Sequence, residues 1–427
     1  MFSPERFLSN ALQTQPGGYK VAQVLAHAFN AVDPGAAVQR HLHKNPLPSG
    51  KRIFAFGLGK AACPMMNALA DEVPLTDTLV ITKHASFITV EPATVIEGDH
   101  PVPGIASLHA GNAAIKFLSQ IDQDDLLVCL ISGGGSALMT APRIPLEDLQ
   151  RLTSALLACG ARIDEINTLR RHLDQLKGGG LAKLANGAQV ISLLLSDVAG
   201  DSLEAIASGP TAPDPTTVAD SISIIEKYDL MKSIPASVVN ALTETLKPND
   251  LLFEKVQNTV IASNSIALQA AKAQAELLGF QTKIVDTNLQ GLADTLGGQL
   301  AAQLKDSLQG MPRPFCLLAG GEATVKIKGT GRGGRNQELA LAAVDSLAGL
   351  QDVLFLSIAT DGEDGPTDAA GAFVTGETAQ RAESLGLYAA DYLLNNDAYS
   401  YFEQVDQLIK TGSSGTNVND LVICFAF

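Results

Sequence analysis

Several stretches of this sequence combine glycines with cations or carboxylates where an apolar run turns polar, and those residue types handle anions. In GLGKAACPMM, Gly57 and Gly59 permit a tight turn and Lys60 is expected to open a helix. A helix N-terminus beside a lysine attracts anions; a surface lysine at a helix start is the equally good bland reading. The GxxxxGK[ST] pattern of a P-loop is missing. In SGGGSALM, Gly133, Gly134 and Gly135 bring successive amides toward one point, a cradle for phosphate or carboxylate. Ser136 could be a nucleophile, but the GxSxG elbow is not matched, so the cradle is preferred. His100, in EGDHPVPG, reads as structural or substrate-adjacent. NTLRRHLDQLKGGGLAKL gathers Arg170, Arg171, His172 and Lys177 as either a solvated basic face or an anion-facing one. After a further apolar run, LSDVAGD places Asp197 and Asp201 close together. Such a pair suits Mg²⁺, which takes one or two carboxylates plus water and phosphate oxygens. One of the two could instead orient or deprotonate a hydroxyl, or cap a helix.

The second half repeats the device. Asn264, in IASNSIALQ, stands at a strand-to-helix turn as a cap or ligand contact. LLAGGEATVKIKGTGRGGRNQELAL is the densest signal: Gly320 and Gly321 are expected to end a strand ahead of Glu322. Gly333 and Gly334, with Arg332 and Arg335, form a glycine loop at a helix start. Guanidiniums so placed suit phosphoryl oxygens. ATDGEDGPTDAAGA carries Asp361, Glu363, Asp364 and Asp368, an acidic loop for Mg²⁺ or the nucleotide side, without EF-hand spacing.

The elements that must hold these residues are short apolar strands alternating with helical stretches. The clearest strands are Arg52–Gly57, Thr78–Thr82, Leu126–Ile131, Val190–Leu195, Val260–Ser263, Thr282–Val285, Phe315–Ala319, Val353–Ala359 and Leu421–Phe425. Continuous apolar runs of this kind have helices on both faces, and helical connections imply parallel crossovers. The fold class is therefore α/β, with two domains, each a mostly parallel sheet flanked by helices. The expected domains are 1–240 and 255–427, with the linker near 235–255. The segment to about Val38 is expected to be helical.

Composition bounds the function. The chain has 427 residues, 46% hydrophobic and 18% charged, with a formal net charge of −15. That is enough apolar material for sizeable cores, and the acidic balance disfavours nucleic acid and anionic membrane as partners. Cys63, Cys129, Cys159, Cys316 and Cys424 show no metal-ligand spacing and read as reduced thiols. The opening residues lack the apolar core of a signal peptide. A cytoplasmic enzyme, monomer or homodimer, is the expectation.

Taken together, GLGKA, GDHPVPG, ISGGGSALM, LSDVAGD, ASGPTAPDPTT, GGEATVKIKGTGRGGRNQELAL, ATDGEDGPTDAAGA and TNVNDL resemble one family over essentially the whole chain. It is the class of glycerate kinases that yields 2-phosphoglycerate, whose C-terminal part is named for the MOFRL motif. The resemblance implies a Rossmann-like N-terminal domain, a MOFRL-type C-terminal domain and a site in the cleft between them. It also implies D-glycerate as substrate, with ATP and Mg²⁺. It makes Lys60 and Arg335 the leading catalytic positions, with Asp197, Asp201 and Asp361 as partners and Asp364 a further metal candidate. Members have also been labelled hydroxypyruvate reductases; a nicotinamide-dependent reductase is the alternative, though no GxGxxG follows a strand with a suitably spaced acidic residue. The sequence departs from the family pattern at Arg171, Asp174 and Gly180, where Lys, Ser and Arg are usual, and at GSSGTN (Gly412–Asn417).

Overall fold

The computed structural model describes residues 2–427. Among the described residues, twelve strands form two sheets. The first contains β1 (Ile53–Leu58), β2 (Asp77–Thr82), β3 (Thr94–Glu97), β4 (Leu126–Ile131), β5 (Gln189–Leu195) and β6 (Val256–Ala262), in the order β3-β2-β1-β4-β5-β6. The second contains β7 (Gln281–Leu292), β8 (Phe315–Thr324), β9 (Val353–Ala359), β10 (Gly371–Thr375), β11 (Leu408–Ile409) and β12 (Asp420–Ala426), in the order β11-β10-β9-β12-β8-β7.

Two compact units result: Pro34–Ile261, and the residues up to Asp33 joined with Ala262–Phe427. The division at 240/255 is thereby corrected at both places. The segment 235–255 is no linker: Val238 is fully buried, His172 Nδ1 lies 2.9 Å from the Thr243 carbonyl oxygen, and Thr245 donates its hydroxyl to Asp214. The strand after it, β6, closes the edge of the first sheet instead of opening the second. The N-terminal residues belong with the C-terminal ones because helix Gly18–Ala31 buries Val21, Val24, Leu25, Ala28 and Phe29 and packs on helix Asn264–Leu277. Edge-on contacts of Phe2 and Phe7 with Phe29, at 5.5 and 4.9 Å, extend that core. Thr416 fastens the seam by donating its hydroxyl to the Val32 carbonyl.

In the first unit β1 and β4 are buried along their whole length. They pair in parallel with each other, and outward with β2 and β5. The Phe54 and Phe117 rings meet edge-on at 6.0 Å beneath them. Fully buried strands cannot alternate polar and apolar residues, so the sequence runs are continuously apolar.

The second sheet corrects the expectation of mostly parallel pairing. Only β7 and β8, joined by helix Ala293–Gly310, pair in parallel. The pairs of β12 with β8 and β9, of β9 with β10, and of β10 with β11 are antiparallel. Parallel neighbours need a long crossover, normally a helix; β9 returns to β10 through the acidic loop without one. Among the described residues no helix is long and apolar enough to cross a membrane.

Candidate active site

The order β3-β2-β1-β4-β5 reverses direction between β1 and β4, and in open α/β sheets ligands bind beyond the carboxyl ends of the strands at that reversal. Leu58 and Ile131, the last residues of β1 and β4, are in register there. The loops that follow them are GLGK and SGGGS, so topology alone sets Lys60 beside the triple glycine. Hydrogen bonds lock the two loops together. Lys60 donates its backbone N–H to Gly133 O (3.0 Å), and Ala61 donates to the Ser132 hydroxyl (3.0 Å). Lys60 lies in the turn before the helix, which starts at Ala62, so the expectation that Lys60 opens it is corrected. The lysine side chain is exposed.

The glycines are explained by what surrounds them. A Cβ at Gly133 would collide with the Asp197 carboxylate, while Gly134 has a left-handed backbone (φ 85°). A Cβ at Gly134 would sit 3.3 Å from the His100 ring and 3.4 Å from the Lys60 side chain. Lys60, His100, Asp197 and the loop Gly133–Ser136 thus come together. The helix after the loop, Gly135–Leu138, is only four residues long, too short for a strong dipole. Burial pushes the Asp197 carboxyl above its ordinary range, against a backbone hydrogen bond and Lys60. Burial, then Lys60 and Lys83, pushes the His100 imidazole down, favouring its neutral form. Asp201, the other expected carboxylate, is half-buried in a turn at φ 55°.

In the second unit the expected arginine cluster is divided. Arg332 lies with its guanidinium 4.0 Å from the centre of the Tyr399 ring. Arg335, the first residue of helix Arg335–Leu347, is anchored by Asp420: Nε donates to Oδ2 at 2.6 Å and a terminal nitrogen to Oδ1 at 3.0 Å. Glu322 adds a contact at 3.2 Å from the exposed side. Burial alone would lower the guanidinium's pKa, but Asp420 and then Glu322 hold it above its ordinary value. Asn336 bridges the assembly, donating to Asp420 (2.9 Å) and accepting from the Ser357 hydroxyl (2.6 Å).

Asp364 is not placed as a metal ligand. Its two oxygens accept the Asn336 and Gln337 N–H groups at 3.0 and 2.8 Å. It therefore caps the helix that presents Arg335, and those N–H groups are not left for a phosphate. A Cβ at Gly334 would strike Asp364, so this glycine permits the capping approach. Gly333 sits beside it, against Ala398. Gly320 and Gly321 do not end a strand either; β8 continues to Thr324. The missing side chain of Gly320 admits Asn264 Oδ1, whose amide donates to the Val418 and Asp420 carbonyls at 2.9 Å each. Asn264 thus steadies the strand that carries Asp420. Asp361 remains half-exposed, with one oxygen accepting the Glu363 N–H at 3.1 Å. Among the described residues no three His, Cys, Asp or Glu side chains are grouped to hold a metal ion; Mg²⁺ bound by one or two carboxylates and phosphate oxygens needs no such trio.

Burial of Asp364 raises its carboxyl to about 6, despite the N–H donors. An unfolded aspartate titrates near 4, so the native state holds this proton more tightly. Its contribution to stability is complete below about pH 4 and is lost as pH rises through about 6. The loss is roughly 3 kcal/mol at about 1.4 kcal/mol per pKa unit. Urea unfolding between pH 4 and 7 should show this slope in the natural protein and a flatter profile in Asp364→Asn; parallel profiles would clear Asp364 as its source.

Asp420 and Asn336 were not singled out by the residue types, although TNVNDL and GGRNQ contain them. Their signal was an acid ending one loop and an amide following the arginine, which spacing alone cannot bring together.

Comparison with known proteins finds relatives over nearly the whole chain. A family model described as Domain of unknown function (DUF4147) matches residues 20–243, and the MOFRL family model matches 315–420. A glycerate 2-kinase from Pyrococcus horikoshii is 38% identical over 424 residues, covering 94% of this chain and 95% of that protein. A solved glycerate kinase structure from Thermotoga maritima superposes with a TM-score of 0.90 at 38% identity, covering 96% of this chain and all of that one. A relative from Agrobacterium vitis, 37% identical and 93% covered on each side, bears a provisional hydroxypyruvate reductase name.

Proposed function

Because the chain belongs to the glycerate kinase family that carries the MOFRL region, we propose that it transfers the γ-phosphoryl group of ATP to the 2-hydroxyl of D-glycerate. The observation that carries this reading is Lys60 at the sheet's direction reversal, beside the Gly133–Ser136 loop and Asp197. Phosphoryl transfer asks a protein mainly for positioning and for neutralisation of spreading charge. Lys60 supplies a mobile point charge for phosphoryl oxygens. Arg335 supplies a fixed guanidinium, its direction set by Asp420.

Asp197 takes the hydroxyl proton. A carboxylate whose pKa is raised by burial is a better proton acceptor near neutrality than an ordinary one. Mg²⁺ would neutralise phosphate charge when bound, and Asp201 or Asp361, both partly exposed, would hold it through a single carboxylate. His100, kept neutral, leaves the positive charge there to Lys60.

Chelation of divalent metal should abolish turnover, and added Mg²⁺ should restore it. Phosphorus NMR of the product should show 2-phosphoglycerate; 3-phosphoglycerate would overturn the assigned position, and chelator-resistant turnover would overturn the role of Mg²⁺.

A further inference from the structure

Beside the Lys60 cluster, in the same unit, the chain forms a small pocket lined by Ser136, Thr140, Arg170, Asp174 and Lys177 among others, enclosing about 240 Å³ including its mouth. Two of its cations behave differently. Lys177 is buried and satisfied: its ammonium donates to Asp174 at 2.8 Å and to the Met139 carbonyl at 2.9 Å. Asp174 is satisfied in turn by the Thr140 hydroxyl and the Ala141 and Leu176 N–H groups. That pair is closed to any ligand.

Arg170 is open. Its Nε is buried without a hydrogen-bond partner, and burial pulls its guanidinium's pKa down. Among the described residues it makes no hydrogen bond or ion pair. Its neighbour Arg171 shows what a structural arginine looks like here: its terminal nitrogens donate to the Glu204 carbonyl at 3.2 Å and the Thr168 hydroxyl at 3.3 Å, and its guanidinium is paired with the buried Asp214 carboxylate. A buried, unmatched donor is costly, and the cost is removed when a ligand supplies the missing acceptor.

We propose that Arg170 is the specificity residue that binds the carboxylate of the acceptor acid. The identity of that acid rests on the kinase reading. A guanidinium offers Nε and a terminal N–H as a parallel fork, which matches two carboxylate oxygens. Ser136, whose hydroxyl is 2.7 Å from that of Ser208, is on the pocket wall. It lies on the same loop as Gly133 and Gly134, which border Asp197 and Lys60. An acid held at Arg170 therefore extends along the loop toward the groups that act on its hydroxyl. The enclosed part of the pocket, about 10 Å³, is on the scale of one water molecule, so only the carboxylate end of a small acid would enter it, with the rest of the acid in the open mouth, and a nucleotide is excluded.

The test compares the natural protein with Arg170→Ala and Arg170→Lys. Steady-state kinetics should show the glycerate KM raised by roughly 10- to 100-fold in Arg170→Ala, the range of a charged hydrogen bond. The ATP KM and thermal midpoint should be little changed, and Arg170→Lys should recover part of the loss. A raised ATP KM would reassign the pocket to phosphate. A fall in kcat and thermal midpoint at constant glycerate KM would make Arg170 structural. Either result overturns the proposal. Calorimetric titration with D-glycerate and, separately, inorganic phosphate, without nucleotide, separates this inference from the kinase reading. Glycerate binding that weakens in Arg170→Ala supports the site even if the natural protein fails to phosphorylate glycerate. Equal binding by both proteins, or none by the natural one, removes it.

Discussion

Replacing Arg335 by alanine is expected to lower kcat by roughly 10³-fold or more, the scale of an arginine that neutralises a transferring phosphoryl group. It should also destabilise the protein by roughly 3–5 kcal/mol, because Asp420, only 3% exposed, would be left as an uncompensated buried charge. The two effects separate in a double variant. Asp420→Asn removes the orphaned charge, so Arg335→Ala combined with Asp420→Asn should recover much of the stability and none of the activity. Urea unfolding and initial rates on the same preparations measure both. Recovery of activity in the double variant would show that Arg335 serves the fold alone.

The second large effect concerns Lys60. Its side chain is exposed, and the bonds that hold its loop run through backbone and Ser132. Lys60→Ala should therefore leave unfolding free energy within about 0.5 kcal/mol of the natural value, as for ordinary surface changes. Its kcat should still fall by roughly 10³-fold, the lower end for loss of a cation that acts on phosphoryl charge. Lys60→Arg should rescue weakly, because a planar fork does not replace a compact point charge. A near-natural rate in Lys60→Ala would remove Lys60 from the mechanism.

The contrast between these variants reflects what could be read from residue types. Lys60, Gly133 and Asp197 follow β1, β4 and β5, and continuous apolar runs made those strands plain. Once strands are parallel and adjacent, the residues after them converge, so the first unit's cluster was legible from pattern alone. In the second unit the apolar runs located β8, β9 and β12 but carried no information on direction. The antiparallel insertion of β12 between β8 and β9 is what brings Asp420 to Arg335. The glycine-rich arginine loop divides in the fold for a separate reason: Gly334 accommodates Asp364, and Arg332 covers Tyr399. Strand β3 was invisible because Thr94, Val95 and Glu97 are exposed at a sheet edge and supply no apolar run. The unit boundary is hidden in the sequence for a different reason. Helix Gly18–Ala31 is amphipathic like any surface helix, and nothing local to it reveals that its apolar face belongs to Asn264–Leu277, far along the chain.

Arg170 and Asp174 illustrate the same limit at the level of charge. In sequence, Arg170, Arg171, His172 and Lys177 form one basic cluster. In the fold Asp214 takes Arg171 and Asp174 takes Lys177, leaving one guanidinium for a ligand. Asp174 thus closes off Lys177 with a buried carboxylate.

The most direct test is ADP release measured with ATP and Mg²⁺, with and without D-glycerate, alongside oxidation of reduced nicotinamide with hydroxypyruvate. ADP formation that requires glycerate, with no cofactor oxidation, is the predicted result. Hydroxypyruvate-dependent oxidation without glycerate-dependent ADP formation would contradict it and replace the kinase with a reductase.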